Sequence, residues 1–371
     1  MGDCSGRRAF LKAAGAAGAA MAAGPPLALG ADDPAVLAFV GCAHIHTPSY
    51  VKLLTARPDV RVKWAWDHEP ARVAVRAPEL RAQAGSLEQI FGDPEVRAVV
   101  ICSETNRHPE LVAAAARARK HMFVEKPLGI TAADSRAMAE AIEKAGLLFT
   151  TGYFMRADPK HLFLREQVRA GAFGTITRAS AWNCHSGALG GWFDERPSQP
   201  AESWRWMADP GVAGVGGFGD LGTHSLDILM WMLGDVAAVS AEVRNVTRRY
   251  GDCDETGTAL LRFRSGAGGT LTAGWVDVAN PVTLEIAGTE GHAVVFNDAL
   301  YFESTKVPGS KSTERWTQLP AAAQAPLHQF VDAVRGAPNQ PLVRPREAAA
   351  RVAVMEAMYQ SARGRQWTEV A

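Results

Sequence analysis

The sequence predicts a two-domain α/β protein, in which a parallel sheet of βαβ units precedes an α/β domain built on an open, mainly antiparallel sheet. Three observations carry this reading. From Val36 onward, short β-branched or aromatic runs alternate with amphipathic helical stretches, as parallel βαβ units require. After Gly152 the rhythm changes, and residues 236–302 read as successive strands with turn residues between them. At 371 residues the chain also exceeds what one hydrophobic core organises.

The first 31 residues read as an address rather than as fold. Gly6-Arg7-Arg8-Ala9-Phe10-Leu11-Lys12 precedes an Ala/Gly-rich apolar stretch, then Pro25-Pro26 and small residues around Ala28-Leu29-Gly30-Ala31. The adjacent arginines resemble a twin-arginine signal, with Gly6 where Ser is usual, which predicts an exported, periplasmic protein. The apolar run is short and Gly-rich for a bilayer span, and no later segment is long enough, so no membrane partner is expected after cleavage. Strands are expected over 36–40, 61–66, 98–102, 121–124 and 147–151, with helices over 108–119 and 131–145, the second capped by Thr131. These form the first domain, 36–152. The second, 153–335, opens with a helix over 159–170, a strand and a long Gly/Trp/Pro-rich segment over 186–219, and ends with a helix over 325–334. Long irregular stretches in compact domains are usually functional loops. A last helix over 346–363, within 336–371, is expected to pack back on the body.

Composition narrows the partners. Apolar residues make up 47% and charged residues 21%, ordinary for a globular enzyme. Lys plus Arg equals Asp plus Glu at 39 each, so no global field holds the chain on nucleic acid, and a small molecule is the expected partner. Cys4, Cys42, Cys102, Cys184 and Cys253 lack CxxC spacing and read as buried thiols.

The first strand ends at Gly41-Cys42-Ala43-His44-Ile45-His46, with a helix starting near Pro48. In a dinucleotide-binding Rossmann domain this turn brings backbone N–H groups and a helix N-terminus to the pyrophosphate. The usual GxGxxG is here GxAxxH, with His46 in place of the glycine that lets helix and strand pack closely. Asp67, after the second strand, sits where a carboxylate accepts hydrogen bonds from the adenosine ribose, which favours NAD over NADP. Paired histidines after a strand also begin many metal sites, and His108, His121, His185 and His224 could complete one. The reading adopted assigns no metal. It leaves His44 and His46 beside the phosphates, reaching toward the nicotinamide and substrate, or purely structural.

Two further stretches carry a family resemblance. Lys120-His121-Met122-Phe123-Val124-Glu125-Lys126-Pro127-Leu128 and Gly216-Gly217-Phe218-Gly219-Asp220-Leu221-Gly222-Thr223-His224-Ser225-Leu226-Asp227 stand in register along the chain. Together with Trp204-Arg205 and Gly152-Tyr153 through Arg156-x-Asp158-Pro159, they resemble the glucose-fructose oxidoreductase and inositol dehydrogenase family (Gfo/Idh/MocA). Departures are Ala43 and His46 in the turn, and Glu104 where proline is common. The resemblance implies a Rossmann NAD-binding domain, a second domain supplying the substrate site, and a sheet that often builds dimers or tetramers. It implies that Lys126, Asp220 and His224 are catalytic, with Lys126 donating to the reacting oxygen, His224 as acid/base and Asp220 orienting substrate and imidazole. Gly41, Ala43, His44, Ile45, His46, Asp67, Ser103, Thr105, His108, Glu125 and Lys126 are expected at the cofactor. Tyr153, Arg156, His185, Trp204 and Arg205 join Asp220 and His224 around the substrate.

The residues themselves fit that chemistry. Asp220, His224 and Asp227 share a face of a predicted helix. Oxidising a secondary alcohol needs a proton acceptor for the hydroxyl as hydride leaves the carbon. Trp182, His185, Trp192, Trp204 and Trp206 in or beside the irregular segment suit the apolar faces of a pyranose ring, or else pack a loop that lacks a core. The function expected is NAD-dependent oxidation of a sugar or polyol. Its rivals are an NAD-dependent glycosidase or lyase working by oxidation, elimination and reduction, and a non-catalytic sugar binder. An exported enzyme meets little free NAD, so a cofactor loaded before export and restored in each cycle is expected.

Overall fold

Strand β1 (Ala35–Val40) is the axis of the first domain, and the reason is visible in its sequence AVLAFV. A continuous apolar run suits a parallel strand covered on both faces, and five of its six residues are buried. The computed structural model describes residues 33–370, so the leader expected over 1–31 and Cys4 lie outside the described residues. Along the chain follow α1 (Thr47–Thr55), β2 (Val60–Trp66), α2 (Pro70–Glu79), β3 (Gln83–Ala84), α3 (Leu87–Gly92), β4 (Ala98–Ile101), α4 (His108–Arg117), β5 (His121–Val124), α5 (Ala132–Lys144) and β6 (Phe149–Thr151). The sheet order is β3-β2-β1-β4-β5-β6 and every pairing is parallel. This is the doubly wound dinucleotide-binding order, in which the strand sequence reverses between β1 and β4. Thr131 caps α5 as expected, its hydroxyl accepting the Asp134 N–H at 3.0 Å.

The second domain contains α6 (Pro159–Arg169), β7 (Ile176–Cys184), α7 (Pro210–Ala213), α8 (Gly217–Leu233), β8 (Val236–Arg244), β9 (Thr256–Phe263), β10 (Gly268–Gly274), β11 (Val282–Gly288), β12 (Gly291–Phe296), β13 (Ala299–Ser304), β14 (Lys311–Arg315), α9 (Pro326–Val334), α10 (Pro345–Gly364) and β15 (Thr368–Glu369). Its sheet runs β14-β13-β12-β11-β7-β10-β9-β8-β15. The sheet is mixed and mostly antiparallel: β7 inserts between β11 and β10 and pairs parallel to β10. Outer-face positions alternate with buried ones along β9, the pattern of a sheet covered on one side. Trp182 and Leu260 stand on that open face, each 48% exposed.

Helix α8 lies against β7, β9 and β10 on one side and α6 and α10 on the others, so it is buried almost all round. Its N-terminus is satisfied by Asp254, whose carboxylate accepts the Phe218 N–H at 2.9 Å and the Tyr359 hydroxyl at 3.0 Å. The glycine-rich entry follows from crowding there: a Cβ on Gly217 would meet the Glu255 carbonyl oxygen at 2.6 Å.

Two sequence expectations need correction. The helix α9, expected in the second domain, places Leu327, Phe330 and Val331 in the core of the first, beside Phe39, Val100 and Phe123. Its apolar face fits the sheet it covers, and sequence proximity does not decide which sheet that is. Arg156, expected at the substrate, instead donates from Nε and an Nη to Asp227 at 2.7 and 2.5 Å, and Arg351 Nε meets the same carboxylate at 2.9 Å. This knot is buried, with Asp227 1% exposed, and it ties α8 to α10 and to the start of α6. The four described cysteines are free and buried. Among the described residues no helix is long and apolar enough to cross a membrane.

Replacing Asp227 by Ala takes the shared carboxylate from buried Arg156 and Arg351 and leaves Arg156 only Glu347 at 4.0 Å, which costs about 3–5 kcal/mol. The expected outcome is a lower chemical-denaturation midpoint with NAD affinity retained in the folded fraction. Acid acts through buried histidines: His108 faces the carbonyls of Leu128 and Ser103, and His161 that of Met155. Burial lowers both below the usual imidazole range, so the fold keeps them neutral. The unfolded chain binds protons near pH 6.5, so it holds more protons than the native state below that point and stability falls with pH. The midpoint is therefore expected to drop between about pH 7.5 and 5.5, and a His161→Gln variant to show a shallower drop.

Candidate active site

The turn after β1 is built for close backbone approach. Gly41 takes φ of +85°, and a Cβ there would meet the Ser103 nitrogen at 2.5 Å, so only glycine fits between β1 and the loop after β4. Most N–H groups of the turn are committed: Cys42 to Asp67 Oδ2 at 2.5 Å, Ala43 and His44 to the Cys102 carbonyl at 3.0 Å, and His46 to His44 Nδ1 at 3.2 Å. Ile45 N–H is the free donor of the turn among the described residues, next to the N-terminus of α1. A free backbone donor at a helix N-terminus, at the point where strand order reverses, fits a dinucleotide phosphate.

Beyond the turn, β5 ends directly in Glu125-Lys126. The Lys126 side chain is 2% exposed and its Nζ lies 2.7 Å from Asp220 Oδ1 on α8. Trp275 Nε1, in the loop after β10, donates to the other Asp220 oxygen at 3.0 Å. Burial opposes ionisation of Asp220, but Lys126 outweighs it and holds the carboxyl below the usual carboxylate range. One turn further along α8, His224 is buried and its Nδ1 has no hydrogen-bond partner. Burial and the neighbouring Lys126 push its pKa well down, so the imidazole is neutral and able to accept a proton. The expected Asp220–His224 pairing is therefore corrected: Asp220 serves Lys126, and His224 packs against Phe154, with ring centroids 4.7 Å apart.

Glu125 is fully buried and faces the glycine turn. His46 Nδ1 stands 2.9 Å from Oε1, which also accepts from the Tyr50 hydroxyl, and the Lys126 N–H donates to Oε2 at 2.7 Å. Burial would raise its pKa, but the hydrogen bond from His46 and the Lys126 charge bring it well below the usual value. His44, His46 and Glu125 place one ligand-type atom each within 4.8 Å of one another. Burial drives His44 down to about 3, so it is neutral, and its Nδ1 accepts the His46 N–H. Its one proton is therefore on Nε2, the nitrogen facing Glu125 at 3.8 Å, which is where a cation would need a lone pair.

Other expected site residues settle elsewhere. Asp67 is not open to a ribose: its buried carboxylate receives Cys42 N, Glu69 N at 2.9 Å, Arg72 at 3.3 Å and faces His68 at 3.2 Å. Glu104 pairs with Arg72 at 2.6 Å and closes the same edge. His108 is held by two carbonyls, Ser103 turns its hydroxyl onto the Glu104 carbonyl, and Thr105 is buried beside them. These three shape the loop after β4 rather than present side chains to a ligand. Tyr153 is 1% exposed with its hydroxyl 3.1 Å from Thr223, so it backs His224 instead of reaching substrate. Trp182 projects from the open sheet face, away from the cleft.

Residues 186–216 lie across the mouth of the first domain. Trp206 donates from Nε1 to the Ala43 carbonyl at 2.9 Å, and Arg76 of α2 binds Glu202 and, at 3.0 Å, the Ala201 carbonyl. His185 stacks on Trp192 with ring centroids 4.7 Å apart, and its Nδ1 accepts the Gly187 N–H. Trp204 carries Arg196 over its ring, and Arg205 lies over Tyr250 and donates to the Ala208 carbonyl. Sequence reasoning missed Phe154, Trp275 and Arg72. Phe154, 51% exposed between His46 and His224, follows Gly152-Tyr153 directly and carried no polar signal of its own. Trp275 gave none either, because a tryptophan after a strand reads as core.

Known proteins match this arrangement along the chain. The model of an oxidoreductase family with an NAD-binding Rossmann fold matches residues 36–153, and that of the GFO/IDH/MocA C-terminal domain matches 161–294. Levoglucosan dehydrogenase of Pseudarthrobacter phenanthrenivorans is 27% identical over 61% of this chain and 64% of its own length. The scyllo-inositol 2-dehydrogenase (NAD(+)) of Bacillus subtilis is 28% identical over 64% of this chain and 67% of its own. The chain thus spans about two thirds of the length of these curated relatives. The solved structure of levoglucosan dehydrogenase in complex with NADH and levoglucosan shares the fold, with a TM-score of 0.76 at 21% identity, covering 91% of this chain and all of that one. Because the two models fall in order on the two domains and together take in more than half of the sequence, the chain belongs to the GFO/IDH/MocA family of oxidoreductases.

Proposed function

We propose that the protein is an NAD-dependent oxidoreductase acting on a secondary alcohol of a sugar or polyol. The observation that carries this reading is the buried pair of Lys126 and Asp220, set at the carboxyl end of β5 beside a neutral His224 with a free nitrogen. Bound NAD supplies the hydride acceptor. Ile45 N–H, the glycine turn and the backbone of the loop after β4 would hold its phosphates. Lys126 donates from Nζ to the reacting oxygen and stabilises the charge that develops there as the hydroxyl proton leaves. His224 accepts that proton. Asp220 balances the Lys126 charge, and Trp275 fixes the carboxylate so that Nζ is aimed. Phe154 offers an exposed aromatic edge for a ring, and His185 with Trp192 forms a second stacked surface. The named activities of the relatives, on levoglucosan and scyllo-inositol, support a cyclic polyol as substrate.

The reading extends to place and assembly. Arg7 and Arg8 begin a twin-arginine-type leader, which supports export of a folded, cofactor-loaded protein to the periplasm. The contacts of residues 186–216 with the turn support a cofactor that stays on the enzyme, restored in each cycle by a second substrate or by a later reduction of the same one. The open face of the second sheet, with Trp182, Leu260 and Phe296 exposed, supports a homo-oligomer.

Lys126→Met keeps side-chain bulk and removes the donor, so turnover is expected to fall about 10²–10⁴-fold with the fold unchanged. Steady-state rates with a panel of sugars and inositols check this, and near-normal turnover in folded protein overturns the assignment. Protein recovered from the periplasm is expected to release close to one NAD(H) per chain on denaturation, read by absorbance and mass spectrometry. Empty protein that turns over only with added NAD and accumulates free NADH contradicts retention.

A further inference from the structure

A cavity lies away from the cleft, between α6, α8 and the stretches that lead into α9 and α10. It measures about 250 Å³, and Arg165, Trp231, Arg156, Arg344 and Glu347 line it. Sites that enclose a drug-sized ligand run from about 300 to 1,000 Å³, so this one suits a small group. Tyr153 separates it from the cleft: the tyrosine is part of the cavity wall, and its ring meets that of His224 edge-on at 6.1 Å. The arginines of the wall are not alike. Arg156 is bound to Asp227, with Glu347 at 4.0 Å, and Arg344 has Glu347 at 3.6 Å. Arg165 has no acidic partner: among the described residues it makes neither an ion pair nor a hydrogen bond, and its Nε is buried with nothing to donate to. Its guanidinium lies 4.0 Å from the centre of the Trp231 ring, which holds it in place.

We propose that this cavity binds a small oxyanion, the phosphate or carboxylate group of a metabolite, on the terminal nitrogens of Arg165. The local charges leave room for one: Arg156, Arg165, Arg344 and Arg351 stand around the cavity against Asp227 and Glu347. Arg169 and Glu166, next along α6, pair with each other at 3.4 Å and add no net charge. A partly buried cation without a counter-charge is the costly member of such a group, and an oxyanion supplies what it lacks. Burial, with Arg169 and Arg156 beside it, brings the Arg165 pKa down to about 10, which leaves it charged at neutral pH. A guanidinium is flat and its N–H donors lie in its plane, so a ring packed on one face leaves the terminal pair able to take two oxygens of one anion. Trp231 is then a backstop and not a competitor. Glu347 is the one carboxylate of the wall, and it is already held by Arg344, whose backbone N–H donates to it at 2.9 Å. Nothing in the cleft makes a claim on Arg165, so this site is additional to the one that takes the alcohol.

The test titrates the full protein, loaded with NAD, with inorganic phosphate and separately with glycolate at constant ionic strength, read by isothermal calorimetry. Saturable binding of one anion per chain is expected, and the tighter of the two probes tells a phosphate site from a carboxylate site. Arg165→Met keeps a side chain against Trp231 and removes the charge, so the dissociation constant is expected to rise at least about tenfold. The anion is also expected to raise the thermal midpoint of the wild type and to leave that of Arg165→Met where it was. Should Arg165→Met fail to fold, Arg165→Lys carries the comparison: it keeps the charge without the planar fork, and a weaker dissociation constant than wild type is expected. Absence of saturable binding with both probes overturns the proposal, as does wild-type affinity in the folded Arg165 variant. Binding that appears only once NAD has been removed also overturns it, because the anion then sits where the cofactor phosphates belong.

Discussion

The ion pair between Lys126 and Asp220 sets the terms for everything around it. Lys126 ends a strand of the first domain and Asp220 stands in the first turn of α8 in the second, so their contact at 2.7 Å fixes how the two domains meet. Two charges taken out of water are costly unless their remaining hydrogen-bonding capacity is used. Trp275 meets that condition on the Asp220 side, and it does so from a strand end that packs over Phe193. The same demand explains why α8 enters through glycines: its first turn must approach β9 closely enough to bring Asp220 under Lys126. Burial, with the Lys126 cation next door, also keeps His224 neutral.

Much of this was legible in the sequence, and what was legible had local causes. The βαβ rhythm, the buried β1 and the Thr131 cap depend on residues a few positions apart, and all of them stand in the structure. The pairing of Glu125-Lys126 with the α8 motif was readable from family resemblance, which marks residues that converge without showing how. The failures are contacts between distant segments. Asp220 and His224 share a helix face, yet Asp220 turns to a lysine nearly a hundred residues away. Arg156 and Asp67 were placed at ligands because of their position in a motif, and each is instead consumed by partners, Asp227 and Arg72, whose proximity no periodicity announces. The insertion of β7 between β10 and β11 belongs to the same class, since strand order within a sheet leaves no trace in the alternation of a single strand.

The two domains also exchange material. The second sends residues 186–216 across the first, where Trp206 rests on the Ala43 carbonyl and Glu202 meets Arg76. In the other direction, the first domain has its inner core finished by α9, through Leu327, Phe330 and Val331. A second face of the same sheet is covered by Val343, Ala348, Ala349 and Val352.

That last feature governs the order of events during synthesis. Domains emerging from a ribosome fold from the N-terminal side as units when their cores are contiguous in sequence. Here the dinucleotide-binding sheet is translated early, but the side chains that close both of its faces come after every strand of the second sheet except β15. Phe123 and Phe39 wait for Phe330, some two hundred and three hundred residues later in the chain respectively, with apolar surface still wet. The nascent first domain is therefore an open half-core, and its final closure coincides with completion of the polypeptide.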